Sequence, residues 1–327
     1  MSSRSPPTNH NRPEPTLPAD LPEFPVYTAA PDLAPFLPGN TGIRGFTTRD
    51  SGRPGPHVVL VSLIHGNELA GAIVIADLLR QDFRPLRGRV TMGFANIDAF
   101  ARFDPANPLA SRFVEEDMNR VWDEAQLSGP RRSLELDRAR EMRPIIEQAD
   151  LLLDLHSMLW PSDPLLLCGP TARGRELALT VATPHVVIAD HGHAGGKRLI
   201  DHARFTTAVP SAAGILVEAG QHWEPGSIAQ TRATVQRLLS HAGMMPPGPV
   251  PPRTPVFAEV TCAVTARTNR FAFTHAYRGG EIIPAANSLI AHDGDEEIRT
   301  PYDDCLLVMP SLRAVRGHTA IRLARLV

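Results

Sequence analysis

VVLVSLIHGNELAGAIVIADLL, residues 58–79, decides the fold. Its first seven residues, Val58 to Ile64, are apolar except for Ser62, long enough for a buried strand and too short for a helix of their own. From Leu69 to Leu79 the apolar residues recur at helical spacing, and the polar turn His65-Gly66-Asn67-Glu68 separates the two. A strand that leads through a short polar turn into an apolar helix is the opening of a βαβ unit, whose strands are joined by crossover helices. The same pattern returns in the strands Arg89–Ala95, Asp150–Leu155 and Gly214–Ala219, and in helical stretches over Leu134–Ala149 and Ile228–Leu239. The expected fold is therefore α/β, a mostly parallel or mixed sheet flanked by helices.

Outward from this core, composition divides the chain. Residues 1–25 hold seven of the 32 prolines together with Ser, Thr and Asn, too little apolar surface to offset the entropy of ordering, and read as a flexible tail. A second break, Met244 to Pro255, has proline at six of twelve positions, where neither a helix nor a central strand continues. Beyond it come short β-type runs such as VFAEVTCAV and CLLVMP. The expected division is a catalytic domain over 26–245, then a linker and a smaller β-rich domain over 246–327.

Charge and cysteine content exclude several functions. The 327 residues carry a formal charge of -2, which argues against nucleic acid or an anionic membrane as the main partner. Only one of the basic residues is lysine, Lys197, and no Ser or Thr follows it, so a phosphate-cradling Walker loop is absent and a pyridoxal Schiff base disfavoured. Cys168, Cys262 and Cys305 are odd in number and far apart, as expected of a reducing compartment. No apolar run reaches the ~20 residues of a membrane span, and the start of the chain lacks the apolar stretch of a signal peptide. A soluble, cytoplasmic protein is expected, and a homo-oligomer is compatible with all of this.

The polar turn after the first strand sits where open α/β sheets bind ligands, outside the carboxyl ends of strands. A His-x-x-Glu alone is common by chance, and His65 and Glu68 alone read equally well as an ordinary strand-end turn with a helix-starting Glu or as part of a site. His156 and Glu218, however, end two other apolar strands, DLLLDLHS and GILVEAG. Burying ionisable groups there costs free energy unless a partner or metal compensates. Two imidazoles and a carboxylate are a common catalytic zinc set with one position left for water, and Glu218 would remain free as a base. Taken singly, His156 reads as well as a core histidine and Glu218 as a solvated strand-end carboxylate. The segment Arg112 to Arg120 (RFVEEDMNR) adds an Asn119-Arg120 pair matched to a carboxylate and a further cation, Arg112, able to polarise a carbonyl.

Together, His-Gly-Asn-Glu after a strand, Arg112 seven residues before Asn119 in Asp-Met-Asn-Arg, Asp-Leu-His-Ser at 154–157 and a Val-Glu-x-Gly strand resemble the succinylglutamate desuccinylase/aspartoacylase family, a branch of the zinc carboxypeptidase-like hydrolases. The resemblance runs over roughly residues 55–240. It implies a zinc carboxypeptidase-like fold, one Zn2+ per chain held by His65, Glu68 and His156, and Glu218 as the general base acting on zinc-bound water. It further implies Arg112 at the oxyanion, Asn119 and Arg120 on the substrate carboxylate, and Asp117 orienting the first zinc histidine. The implied activity is hydrolysis of the amide bond of a small-molecule N-acyl amino acid. One departure stands out: aspartoacylases carry an Arg about ten residues before the catalytic Glu, whereas here that stretch is TTAVPSAA and Arg204 is the nearest basic residue.

The same residues admit a zinc carboxypeptidase acting on peptides, a non-haem iron oxygenase, or a zinc-binding protein without activity. A C-terminal β domain covering the crevice would exclude long peptides, and Glu218 together with Arg112 has no use in an inactive site. His191, His193 and His202, in the Gly-rich stretch ADHGHAGGKRLIDHARF, read as a mobile loop over the site in preference to a second metal group. Trp122, Trp160 and Trp223 read as core packing first and pocket walls second.

Overall fold

In the computed structural model, residues 25–192, 195–208, 211–248 and 253–327 are described. In chain order the strands are β1 (Phe46–Asp50), β2 (His57–Ser62), β3 (Arg89–Phe94), β4 (Leu151–Met158), β5 (Leu165–Cys168), β6 (Val186–Ala189), β7 (Ala213–Gln221), β8 (Val256–Thr265), β9 (Phe271–Phe273), β10 (Ile282–Ile283), β11 (Leu289–Asp293), β12 (Glu296–Arg299), β13 (Cys305–Val308) and β14 (Thr319–Leu326). The α-helices are α1 (Leu69–Arg80), α2 (Ile97–Phe100), α3 (Glu124–Ser128), α4 (Leu134–Ile146), α5 (Ala172–Val181) and α6 (Pro225–His241).

Side chains alternate across a strand, so an all-apolar strand must be covered on both faces. In β2, Val58 and Leu60 join a cluster with Ile75 of α1, Leu177 of α5 and Leu238 of α6. Val59 and Val61 join a second cluster with Trp122 and with Leu136, Met142 and Ile146 of α4. The sheet between these layers has eleven strands in the order β1-β3-β2-β4-β7-β5-β6-β8-β14-β13-β10. Its centre, β3-β2-β4-β7, is parallel, and β5 runs antiparallel to β7. The α/β architecture with a mixed sheet is the one expected from the sequence.

The strands that follow the proline-rich segment extend this sheet: β8 pairs parallel with β6, and β14, β13 and β10 continue antiparallel from it. Only β9, β11 and β12 form a separate small antiparallel sheet, packed around Phe271, Phe273, Ile290 and Ile321. The proposed tail, residues 1–25, lies outside the described residues except for Pro25, as do 249–252 of the proposed linker. No helix among the described residues is long and apolar enough to cross a membrane.

The helix that begins at the polar turn lies unusually close to the sheet. A Cβ on Gly71 of α1 would stand 2.8 Å from the Leu155 Cβ and 2.9 Å from the Ser62 Cβ, closer than side-chain carbons approach. Replacing Gly by Ala within a helix ordinarily stabilises by roughly 0.5–1 kcal/mol. Here the sign should reverse, because α1 must lift off β2 and β4, at an overpacking cost of ~1–3 kcal/mol. Gly71→Ala is expected to lower the urea midpoint of unfolding; an unchanged or higher midpoint would contradict this packing.

Candidate metal centre and active site

β2 and β4 are parallel neighbours in register, Ser62 opposite Leu155, so the turn leaving β2 and the last residues of β4 meet at one end of the sheet. Leu63, immediately after β2, has φ of 58°, a left-handed conformation costly for a branched side chain and characteristic of functional turns. The turn brings His65 and Glu68 to His156, all three buried and with ligand atoms within 4.8 Å of one another. Their orientation is specific. His65 Nδ1 is 2.6 Å from Glu68 Oε1, and His156 Nδ1 is 2.9 Å from Glu68 Oε2. The opposite ring nitrogens face other carboxylates, His65 Nε2 at 2.9 Å from Asp117 Oδ1 and His156 Nε2 at 3.0 Å from Asp154 Oδ2. Metal-ligating histidines have this arrangement, one nitrogen inward and the other backed by a carboxylate that fixes the tautomer. The donor set, two imidazoles and a carboxylate, fits zinc.

Electrostatics support the convergence. Burial alone would raise the Glu68 carboxyl, but His65 and His156 outweigh it and hold Glu68 well below the usual carboxylate range. Burial alone would lower His156, yet Asp154 and Glu68 hold it well above the ordinary imidazole value. Asp117 is likewise held low against the effect of burial by His65, Arg112 and Arg120. The cluster thus favours positive charge between its carboxylates.

Glu218 lies opposite His156 in the β4–β7 register. Its Oε2 is buried without a hydrogen-bond partner, and burial pushes its carboxyl up to about 8. Arg112 stands at the rim, with Nη2 3.0 Å from His65 Nε2 and Nη1 3.5 Å from Glu68 Oε1. Asn119 and Arg120 lie on the far side of Asp117. Asn119 Oδ1 accepts from the Leu199 amide at 2.9 Å, which leaves the side-chain NH2 as donor. Arg120 Nη1 donates to the Asn119 carbonyl at 2.6 Å and its Nη2 is 3.7 Å from Asp117 Oδ2. A cavity of about 150 Å³ opens onto His65, Glu68, Arg112 and Glu218, walled by Trp160, Met309 and Pro310; neither Asn119 nor Arg120 lines it.

Several site features were not anticipated from sequence. Asp154 stands two residues before His156 on the same strand face, so a polar residue inside an apolar strand was its signal. His222, in the cavity wall, has Nδ1 2.8 Å from Ser157 Oγ and is pushed down to about 3 by burial, a neutral imidazole. Arg204 is not at the site: its Nε donates to the Ala149 carbonyl at 2.7 Å, before the start of β4. From there to His156 is about 20 Å along the strand. His202 is buried against the rings of Trp122 and Phe205 instead of standing in a loop over the site, because Leu199, Ile200 and Phe205 dock that segment on the core. His191 lies on a separate exposed cleft, and His193 lies outside the described residues. Among the described residues, His65, Glu68 and His156 are the one group with metal-ligand geometry. Trp122 and Trp223 are core residues, whereas Trp160 faces the cavity.

A buried His-Glu-His group able to hold a metal ion, with an unpartnered carboxyl beside it, thus lies outside the carboxyl ends of parallel strands. Residues 54–242 match the model of the succinylglutamate desuccinylase/aspartoacylase catalytic domain, and the chain belongs to this family of hydrolases. A search of curated proteins finds no match. Among solved structures it is similar to the succinylglutamate desuccinylase of Vibrio cholerae, with TM-score 0.68 and 18% identity over 87% of this chain and 86% of that one. The enzyme of the same name from Vibrio parahaemolyticus matches with TM-score 0.65 and 18% identity over 87% and 86%. The product-bound ectoine utilization protein of Ruegeria pomeroyi matches with TM-score 0.60 and 16% identity over 86% and 88%.

The raised Glu218 carboxyl makes the metal-free protein sensitive to pH. A carboxyl with an ordinary value near 4.5 unfolded and about 8 folded binds its proton more tightly when folded. Its contribution is therefore fully present below 4.5 and is lost as pH rises to about 8. In chelator, Glu218→Gln should melt higher than the wild type at pH 8, and the gain should shrink at pH 5. A difference in Tm independent of pH would contradict the burial assigned to this group.

Proposed function

We propose that the protein is a zinc-dependent deacylase that hydrolyses the amide bond of an N-acyl amino acid. The observation that carries the reading is the convergence of two carboxylate-backed imidazoles on Glu68 with the unpartnered Glu218 carboxyl alongside. His65, Glu68 and His156 would hold one zinc ion, with Asp117 and Asp154 orienting the two histidines. Zinc bound there supplies Lewis-acid polarisation and lowers the pKa of water to about 7. Glu218 then serves as the general base, taking a proton from the attacking water and returning it to the leaving amine. Arg112 meets the negative charge that develops on the carbonyl oxygen. Asn119, through its free NH2, and Arg120 would grip the substrate carboxylate beyond the cavity itself, which neither of them lines.

The C-terminal part of the chain supports a small substrate over a peptide. Met309 and Pro310, directly after β13, wall the cavity, whose volume of about 150 Å³ suits a short acyl group. Three cysteines, two of them buried and all free, suit a reducing compartment such as the cytoplasm.

Two variants separate the roles. Arg112→Ala should lower kcat by ~10²–10³-fold, the cost of losing an oxyanion donor, with KM little changed. Arg120→Ala should act chiefly on KM, and an N-acyl amine without a carboxylate should show the same defect in the wild type. Steady-state kinetics on a panel of N-acetyl and N-succinyl amino acids and their decarboxylated counterparts checks both. Equal turnover with and without the carboxylate would sink the amino acid assignment.

A further inference from the structure

Glu135, the second residue of α4, is 1% exposed, and the chemistry described above makes no use of it. Its carboxyl accepts four hydrogen bonds: Oε1 from the Asn96 side-chain amide at 3.0 Å and the Val114 amide at 2.6 Å, Oε2 from the amides of Glu115 at 3.1 Å and Glu116 at 3.2 Å. A buried carboxyl is costly unless its lone pairs are filled, and here three consecutive main-chain amides and one side chain fill them. The grip is reciprocal. Glu115 accepts from the Leu134 amide at 2.7 Å, and Glu116 accepts from Ser133 Oγ and, at 2.7 Å, from Arg131 Nη1.

The clamped residues lie between two parts of the site. On one side the Arg112 carbonyl accepts from the Gly66 amide of the ligand turn at 3.0 Å. On the other, Asp117 holds His65 Nε2 at 2.9 Å. The Arg112 side chain is 37% exposed, and its guanidinium is held by polar contacts with His65, Glu68 and Asp117, which it reaches only from where the main chain of 112–116 places its Cα.

We infer that Glu135 is a positioning residue for Arg112, fixing the 112–117 loop through three of its four hydrogen bonds, the fourth anchoring it to Asn96, without touching the substrate. The inference rests on the role proposed for Arg112. Misplacing a transition-state contact by about 1 Å can cost up to ~10²-fold in rate. Glu135→Gln, which keeps the shape but turns an NH2 toward main-chain N–H groups, should speed hydrogen exchange at the amides of 114–116. It should also lower kcat on the order of 10- to 100-fold with KM little changed. In the Arg112→Ala background the same substitution should cost little more, as expected of residues acting through one contact. If Glu135→Gln does not fold, Asn96→Ser, which keeps a capping oxygen for the Ala99 amide, removes one of the four bonds and carries the same comparison with smaller effects. Faster exchange with kcat unchanged, or a loss that multiplies in full on that of Arg112→Ala, overturns the inference. If Arg112→Ala alone leaves kcat intact, the role proposed for Arg112 has failed, and this one falls with it.

Discussion

One carboxylate shared between two imidazoles is the constraint on which the rest depends. Glu68 is 2% exposed and meets His65 and His156, each of similar burial, through separate oxygens. A group of this kind is unfavourable in a protein interior unless every lone pair and proton has a destination. Most of the destinations come from several parts of the chain: Ser157 donates its amide to Glu68 Oε2 at 3.1 Å and Asp117 takes the outer nitrogen of His65, while that of His156 stands 3.0 Å from Asp154 in an ion-pair contact without hydrogen-bond geometry. This geometry requires β2 and β4 to be adjacent and parallel, α1 to press close at Gly71, and the 112–117 loop to arch over the turn.

The periphery of the sheet completes the site in a different way. The segment after β13 brings Met309 and Pro310 to the cavity, so residues distant in sequence from the ligands set its size. Arg198 on the same side is buried between Asp190 and Asp201, and Arg322 of β14 lies 2.9 Å from the shared Asp190. These ion pairs tie the C-terminal strands to the segment that Asn119 contacts through Leu199. The segment after β13 is thus a wall of the site, carried there by strands that extend the sheet.

Much of this was legible because it is local. The apolar runs that became β2, β3, β4 and β7 and the polar turn at 65–68 are contiguous signals, and the proposed ligand set was implied by the family that these motifs resemble. What was not legible depends on pairing between distant segments. Nothing near VFAEVTCAV announces that it will pair with Val186–Ala189 and lengthen the main sheet. Arg204 was the nearest arginine before Glu218 in sequence, but it precedes β7 and therefore lies at that strand's opposite end. The Gly-rich look of 189–205 concealed Leu199, Ile200 and Phe205, whose burial outweighs the local glycines. Glu135 gives no signal in the sequence that sets it apart, and only the folded chain places three amides of another loop around it.

The central claim is that His65, Glu68 and His156 hold a single catalytic zinc ion. Elemental analysis of protein purified without added metal and dialysed against metal-free buffer, alongside the Glu68→Gln variant, tests it most directly. The account predicts close to one zinc per chain in the wild type and a large loss in the variant, which removes the charge shared by both histidines. Undiminished zinc in Glu68→Gln, or an active wild type without stoichiometric metal, would contradict it.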